Sequence, residues 1–305
     1  MIHVIKPGLL TTVQDLGRHG FAHLGLSPAG AADSLSFRLA NLLLGNHPNT
    51  PALEITLVGP TLEFDAAATI AISGARTSNS LPLNQAFEIA RGEKIVIGSL
   101  LDGARTYFAV RGGIAVPSVM NSCATFLPAR LGGFEGRALR AGDCIAIGKN
   151  VLGPGKELPS GFLEELSRSS PGPLRVTPSL QHDWFEQPEV RLFREQSFTV
   201  SDASNRSGVR LRGEPVRPYV KRELLTEGVA LGAVQIPPDG QPIILFVDQQ
   251  TTGGYPKIAN VIAADLSRVG QLRPRDKVSF LLVTIGEAVQ ALRHQETLLY
   301  RTFAP

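Results

Sequence analysis

Short apolar runs separated by turns rich in glycine and proline make up most of this chain of 305 residues. Many short runs, several with alternating polar and apolar positions, are typical of β-strands, and with few helices they predict a mainly β fold of barrel or sandwich type. The predicted strands include residues 53–57, 69–72, 87–89, 95–97, 107–110, 189–193, 198–200 and 277–281.

Apolar residues at three- and four-residue spacing predict a few helices. In the first half, a leucine stripe from Leu35 to Leu43 follows Asp33, which is placed as an N-cap, and ends before Gly45. A short helix is predicted at 162–168, and a surface helix at 287–300 with Val289, Leu292 and Leu299 facing inward.

The densest group of polar residues follows the apolar run 243–247, which is predicted to be a buried strand. Residues 248–255 are polar or glycine, apart from Tyr255, and Pro256 stands where a first helical residue is expected. An apolar stripe from Ile258 to Val269 then predicts a helix that ends at Gly270. Because a helix start presents free amide hydrogens, the turn is predicted to bind a small oxygen-bearing ligand; the alternative is an ordinary connection.

A proline-rich stretch divides the chain into halves of similar length. The prediction is an N-terminal β-rich domain at 1–152, a connection at 153–173 and a C-terminal β-barrel domain with a terminal helix at 174–305. Residues 139–145 resemble residues 272–278, with a weaker copy at 91–95, and these phrases predict tight turns before strands. We therefore expect two related domains, each with one prominent helix.

Composition excludes several classes of protein. A net charge of +3 without a basic stripe argues against nucleic-acid binding, and no run reaches the roughly 20 apolar residues that span a bilayer. Two cysteines, Cys123 and Cys144, fit a reduced cytoplasm, so a cytoplasmic location is expected. The six histidines show no pairing typical of a metal site, so no metal is predicted. The sequence also has no Walker-type phosphate loop.

The run from Lys6 to Arg18, with the sequence Lys-Pro-Gly-Leu-Leu-Thr-Thr-Val-Gln-Asp-Leu-Gly-Arg, strongly resembles the opening of a known family. That family contains the C-type subunit of 5-oxoprolinase, the allophanate hydrolase subunit 2 type, the carboxyltransferase half of urea carboxylase and a bacterial antagonist of a sporulation-kinase inhibitor. The similarity continues through residues 27–33, 40–46, 53–60, 111–117, 132–143, 228–240 and 248–256, and so covers nearly the whole chain. The ending from Thr251 to Pro256 is similar to the 5-oxoprolinase branch.

The resemblance implies a cyclophilin-like β-barrel and a hydrolase subunit that works with a B-type and an A-type subunit. Together they would open the lactam of 5-oxoproline to glutamate, with ATP shared with or bound by the partners. One alternative is a regulatory module that antagonises a kinase inhibitor. Another is a carboxyltransferase or amidohydrolase subunit for urea or allophanate-like substrates, with biotin on another polypeptide, because this chain lacks a Met-Lys-Met-like phrase.

The chain departs from the family pattern at two phrases. The affected positions are Asn121, Cys123, Ala124, Asn205 and Ser207. At Asn205 a neutral amide replaces an ionised Asp, which removes a charge and adds a donor. No catalytic residue is predicted, since Ser122 and Cys123 have no evident His and acidic partners in the sequence.

Residues predicted to contact a small carboxylate or amide substrate fall in both halves. In the second half they are Gln235, Gln249, Thr251, Thr252, Gly253, Gly254, Tyr255 and Lys257. In the first half, Arg18 is placed to grip a carboxylate beside Asp15, although a structural ion pair is an equal alternative. Asn41 and Glu54 lie among apolar neighbours and are either hydrogen-bonded core anchors or site residues.

Overall fold

The structure is a computed structural model that describes residues 1–149, 152–168, 172–220 and 224–303. Its contacts group into two compact units: a first unit of Met1–His19 with Pro28–Pro159, and a second unit of Gly20–Ser27 with Ser160–Pro305. Residues 169–171 of the predicted connection lie outside the described part. The domain limits expected at 152 and 174 stay a prediction.

Two antiparallel sheets build the first unit. Its strands are Ile2–Lys6 (β1), Leu10–Gln14 (β2), Ala52–Thr56 (β3), Thr61–Phe64 (β4), Ala68–Gly74 (β5), Ala86–Ile89 (β6), Lys94–Val96 (β7), Arg105–Val110 (β8) and Cys144–Ile145 (β9). One sheet has the order β7-β4-β1-β9 and the other β2-β3-β8-β5-β6. Both sheets send alternate side chains into one apolar core, in which Phe64 contacts Phe108 at 6.2 Å between ring centroids.

The prominent helix of the first unit, Ser34–Leu43 (α1), forms as its sequence predicts. The Asp33 carboxylate accepts the Ser36 N–H at 3.0 Å and caps the helix, while Gly45 takes a left-handed conformation after its end. Phe37 packs edge-on against Tyr107 at 5.8 Å, so the apolar stripe of the helix covers the outer face of the second sheet.

A single large sheet dominates the second unit. Its strands are Leu174–Pro178 (β10), Phe198–Val200 (β11), Gly208–Arg212 (β12), Glu227–Gly228 (β13), Ala233–Gln235 (β14), Ile243–Leu245 (β15), Thr252–Gly253 (β16), Lys257–Val261 (β17), Lys277–Val278 (β18) and Phe280–Leu282 (β19). Eight of them follow the order β18-β11-β12-β15-β14-β17-β10-β19, and β13 pairs with β16 separately. β18 and β19 form the opposite edges of this sheet, yet only Ser279 separates them in the chain. The sheet therefore curls into a nearly closed barrel, and the predicted mainly β fold is confirmed.

Four helices accompany this barrel in the described residues: Phe162–Arg168 (α2), Gln187–Glu195 (α3), Leu266–Gln271 (α4) and Ile285–Phe303 (α5). Single 3-10 turns occur at Ala22–Leu24, Leu127–Ala129, His182–Trp184 and Ala263–Asp265. The helices predicted at 162–168 and 287–300 are confirmed, and Leu299 is buried, but Val289 is exposed rather than inward. Within the described part, every helix falls short of the length and apolar character that a bilayer crossing requires.

Two predicted elements are wrong. Residues 189–193, expected as a strand, belong to α3, where Val190 and Phe193 lie three apart and bury one face of the helix. The helix expected from Pro256 is instead strand β17, which is hydrogen-bonded to β14 on one side and β10 on the other, and a helix begins only at Leu266. Short apolar runs fit either period, and pairing on both edges decides for the strand. This turn therefore has no helix start that could bind a ligand.

The repeated phrases form the same tight turn three times. In each four-residue turn, the backbone N–H of the first residue donates to the side-chain carboxylate of the fourth residue. The backbone N–H of the fourth residue donates to the backbone carbonyl of the first. The pairs are Ala90 with Glu93, Arg140 with Asp143, and Arg273 with Asp276, at 2.7–3.2 Å. The third position has positive φ and is Gly92 or Gly142 in two copies, but Arg275 with φ +76° in the last.

Arg275→Gly should therefore stabilise the protein, by about 0.5–1 kcal/mol, because glycine takes the left-handed conformation without steric cost. The free energy of unfolding in urea measures it. Arg91→Gly is the matched control: Arg91 is an exposed turn residue without positive φ. There glycine should lower stability slightly through greater freedom of the unfolded chain. Equal effects of the two substitutions would contradict the assignment.

Candidate functional site

Three neighbouring strands of the barrel form the floor of a polar cavity of about 260 Å³. The register sets Arg210 opposite Ile243, and Ile243 opposite Gln235, in one row across β12, β15 and β14. Gly208 and Leu245 form the neighbouring row. Since residues two apart share a face of a sheet, all five line the same side. The floor therefore depends on strand pairing between segments that are distant in sequence.

Loops at the strand ends supply the walls. Asn205 and Ser207 precede β12, while Gln250 and Tyr255 come from the segment after β15. As the described residues define it, the lining holds amide, hydroxyl, phenol and guanidinium groups and no carboxylate. Such a set of donors suits a small ligand that carries carbonyl or carboxylate oxygens.

Gln235 is the most informative residue of the cavity. Its side chain is 1% exposed, and its Nε2 donor has no hydrogen-bond partner among the residues that the structure describes. A buried donor without a partner costs about 1–3 kcal/mol, so the protein retains this amide at the expense of stability. The amide also depends on Gly253, because a Cβ at that position would lie 2.5 Å from Gln235 Nε2. Gly253 has no left-handed φ, and close approach is the reason for a glycine there.

A buried ion pair joins the two loops that form the walls. Arg206 Nε and Nη2 donate to the two carboxylate oxygens of Asp248 at 2.9 and 3.0 Å, and both side chains are 5% exposed or less. Backbone bonds run alongside, from Asp248 N to the Arg206 carbonyl and from Phe246 N to the Ser207 carbonyl. This bidentate contact fixes the loop that carries Ser207 against the segment that carries Gln250.

Asn205 maintains the loop geometry without adding charge. Its Oδ1 accepts the N–H groups of Ser207 at 2.8 Å and of Gly208 at 3.2 Å. A carboxylate oxygen accepts the same two bonds, so the amide preserves the turn while it removes the negative charge and adds a donor. The departure from the family pattern is thus located in the wall of the cavity.

Of the residues predicted in the second half, Gln235 and Tyr255 line the cavity. Gln249 is buried beside it, and its amide nitrogen donates to the Val229 carbonyl at 3.3 Å. The Thr251 carbonyl accepts the Val229 N–H, and Thr252 and Gly253 form strand β16 against β13. Gly254 lines a neighbouring apolar groove. Substrate contact by these last five residues stays a prediction.

Lys257 is buried and paired. It is 3% exposed, and its ammonium contacts the carboxylate of Glu227, which also accepts from Gln181 Nε2 at 2.9 Å. The hydrogen bond from Lys257 holds the pKa of Glu227 below its usual value. Lys257, which was predicted to contact substrate, is thus engaged in a pair with Glu227, and substrate contact stays a prediction.

In the first unit, Asp15 and Arg18 both bond to the segment from Val119 to Ala124. Asp15 accepts from Ser122 Oγ at 2.8 Å and from the Cys123 N–H at 2.6 Å. Arg18 donates to the carbonyls of Val119 and Ala124, and burial lowers the pKa of its guanidinium although Asp15 and Cys123 oppose that shift. Burial and then the Asp15 charge raise the pKa of the Cys123 thiol, which disfavours a nucleophilic role.

Glu54 and Asn41 also bond to the protein itself. Glu54 Oε2 accepts hydrogen bonds from the Tyr107 hydroxyl and from the N–H of Ala32, both at 2.8 Å. Ala32 lies just before the start of α1. Burial, followed by the carboxylates of Glu54 and Asp33, raises the pKa of Tyr107, so its phenol stays a donor. The Asn41 amide donates to the Thr50 carbonyl at 2.8 Å. These contacts favour the core-anchor alternative, and substrate binding here stays a prediction.

Four polar cavity residues were not among the predicted ligand contacts: Asn205, Ser207, Arg210 and Gln250. The departures from the family pattern had marked Asn205 and Ser207. Arg210 is an outward position of an alternating strand, which in the sequence alone is typical of ordinary surface. Among the described residues, no three His, Cys, Asp or Glu side chains are grouped as a metal site requires.

Comparison with known proteins places this architecture in a family. The model of the carboxyltransferase domain, subdomain A and B, matches residues 24–282, and the chain belongs to that family. It is 38% identical to the C-type subunit of 5-oxoprolinase from Escherichia coli K12, over 97% of this chain and 96% of the relative. It is 35% identical to the corresponding 5-oxoprolinase subunit from Haemophilus influenzae, over 98% and 96%.

A solved structure gives the same result for the fold. The urea amidolyase of K. lactis superposes with a TM-score of 0.90 at 32% identity, over 99% of this chain. This chain spans only 20% of that much longer one. The predicted family membership is therefore confirmed, and the relatives are named as enzymes or enzyme subunits.

Asp248→Asn should destabilise the protein strongly, by about 3–5 kcal/mol, because it leaves the Arg206 guanidinium buried without its counter-charge. Urea unfolding measures the loss. Asp239→Asn is the control, since Asp239 pairs with Arg212 at 3.8 Å on the surface with both side chains about 60% exposed. Its removal should cost less than about 1 kcal/mol. Similar costs for the two variants would show that the buried pair does not anchor the loops.

Proposed function

We propose that this chain is the C-type subunit of an ATP-dependent 5-oxoprolinase and that its polar cavity holds the substrate. The observation that carries the proposal is Gln235, which lines a cavity surrounded by donors and whose buried Nε2 has no hydrogen-bond partner among the described residues. Identity of 38% to a 5-oxoprolinase subunit of that type over nearly the whole chain supports the assembly and the substrate.

The cavity offers complementary groups to both ends of 5-oxoproline. Gln235 Nε2 donates to the lactam carbonyl oxygen, whose negative charge grows as water adds to the carbon and the C–N bond opens. Arg210, in the same row of the sheet, pairs with the carboxylate. Asn205, Ser207 and Gln250 add further polar contacts from the walls. The chain thus binds and orients the substrate.

ATP does not fit this cavity. Its volume of about 260 Å³ is below the usual range for ligand pockets, roughly 300–1,000 Å³. Its described lining has no carboxylate for the Mg²⁺ that accompanies ATP and no phosphate-binding glycine turn. We assign ATP to an A-type or B-type partner subunit, and the cytoplasm, where ATP is available, as the location.

The decisive test is an assay of the chain co-purified with candidate A-type and B-type subunits. ATP-dependent release of glutamate from 5-oxoproline is expected from the assembly. In the same assay, Gln235→Leu should lower kcat by about 100-fold through loss of a donor to the developing oxyanion. Its thermal midpoint should stay equal or rise, because an unpartnered buried donor is removed.

Exposed Gln187→Leu at the start of α3 is the control and should leave both activity and stability unchanged. An inactive wild-type assembly would refute the proposed activity. A strong fall in the thermal midpoint of Gln235→Leu would show that this glutamine is a structural residue instead.

Gly253→Ala tests the position of the Gln235 amide without removing it. The new methyl group would displace the amide nitrogen, so KM for 5-oxoproline should rise several-fold while the thermal midpoint changes little. Gly228→Ala is matched, since Gly228 lies in the same two-stranded ladder with open space around it. It should leave KM unchanged, and an equal effect of both alanines on KM would contradict the placement of Gln235.

A second candidate is carboxyl transfer or amide hydrolysis on a urea-like substrate, favoured by the TM-score of 0.90 to a urea amidolyase. Urea also presents a carbonyl oxygen to Gln235, but it has no carboxylate for Arg210. Turnover of urea with a biotin-bearing partner, and none of 5-oxoproline, would establish this candidate. A tight complex with a B-type subunit without any turnover would instead favour the regulatory alternative.

A further inference from the structure

An apolar groove of about 640 Å³ adjoins the polar cavity in the second unit. Trp184, Val216, Leu224 and Ile236 line it, together with several prolines. Pro237 and Tyr255 line both the groove and the cavity, so the two spaces share a wall. Tyr255 is 45% exposed, and its apolar ring and polar hydroxyl suit such a boundary.

The groove has no role in binding 5-oxoproline itself. A five-membered lactam with one carboxylate needs only the polar donors of the smaller cavity. The groove alone has the size of a pocket for a complete small ligand, and its lining is mostly apolar. Open apolar surface next to a polar subsite indicates a ligand with an apolar part.

Pro237 links the two spaces. It lies two residues after Gln235, and it lines both the cavity and the groove. A ligand whose carbonyl oxygen accepts from Gln235 Nε2 therefore has the carbon beside that carbonyl close to the groove. A substituent on this carbon is the one that reaches apolar surface without disturbing the carboxylate at Arg210.

We propose that the cavity and the groove form one bipartite site, which binds lactams or amides bearing a carboxylate and an apolar substituent of aromatic size next to the carbonyl. This inference rests on the proposed function for the position of the polar head. It extends the substrate class from 5-oxoproline to its apolar derivatives.

Calorimetric titration of the full chain with 5-oxoproline and with 4-benzyl-5-oxoproline tests the inference. The benzyl compound should bind at least about tenfold more tightly, because its ring is removed from water in the groove. Leu224→Glu should abolish this gain and leave the affinity for 5-oxoproline unchanged, since a carboxylate then lies in the groove.

Leu225→Glu is the matched control, because Leu225 is 89% exposed and does not line the groove. It should retain the gain. Leu224→Ala replaces the glutamate variant if that variant does not fold, and it should reduce the gain in part.

Each other result overturns a distinct claim. Binding of 5-oxoproline with equal or weaker binding of the benzyl compound overturns the bipartite site and leaves the proposed function intact. Equal loss of the gain in the Leu224 and Leu225 variants overturns the location of the apolar subsite. Failure of both compounds to bind overturns the inference and the placement of the substrate in the cavity together.

Discussion

The buried pair of Arg206 and Asp248 is the interaction on which the geometry of the site depends. One loop precedes β12 and the other follows β15, two strands that are neighbours in the barrel, and backbone hydrogen bonds between the loops accompany the pair. A guanidinium and a carboxylate that are nearly free of water hold strongly only in the correct geometry, because misalignment leaves charge uncompensated. The pair therefore fixes the separation of the walls, and with it the space beside Gln235.

Local features of the fold could be predicted from the sequence where local chemistry decides the structure. Asp33 caps α1 through a bond to a residue three positions away, and the three turn phrases repeat because a carboxylate reaches the amide three residues before it. Such contacts lie within a few residues of each other, so a short stretch of sequence contains both partners. The short, mostly apolar strands β3, β5 and β8 are recognisable for the same reason.

The features of the fold and site that could not be predicted depend on strand pairing between segments that lie far apart in the chain. The stripe from Ile258 to Val269 has a helical period. Residues Ile258 to Val261 nevertheless form a central strand, because they pair with β10 on one side and β14 on the other, two strands that lie far apart in sequence. The row of Arg210, Ile243 and Gln235 exists only because β12, β15 and β14 align in one register. Gln235 was predicted as a possible neutral donor to a small polar ligand, whereas Arg210 was missed because an outward arginine on a strand is typical of ordinary surface.

The charge of the cavity explains why such a chain works within an assembly. Its described lining supplies amide, hydroxyl and guanidinium groups, which stabilise oxygens, and it offers no carboxylate or imidazole to take a proton from water. Asn205 strengthens this asymmetry, since it keeps the hydrogen bonds of the loop while removing the one negative charge that the family pattern places there. Opening a lactam requires both a stabilised oxyanion and an activated nucleophile. A cavity that has groups for the first task and lacks them for the second fits the proposed function, in which a partner polypeptide brings the base and the nucleotide.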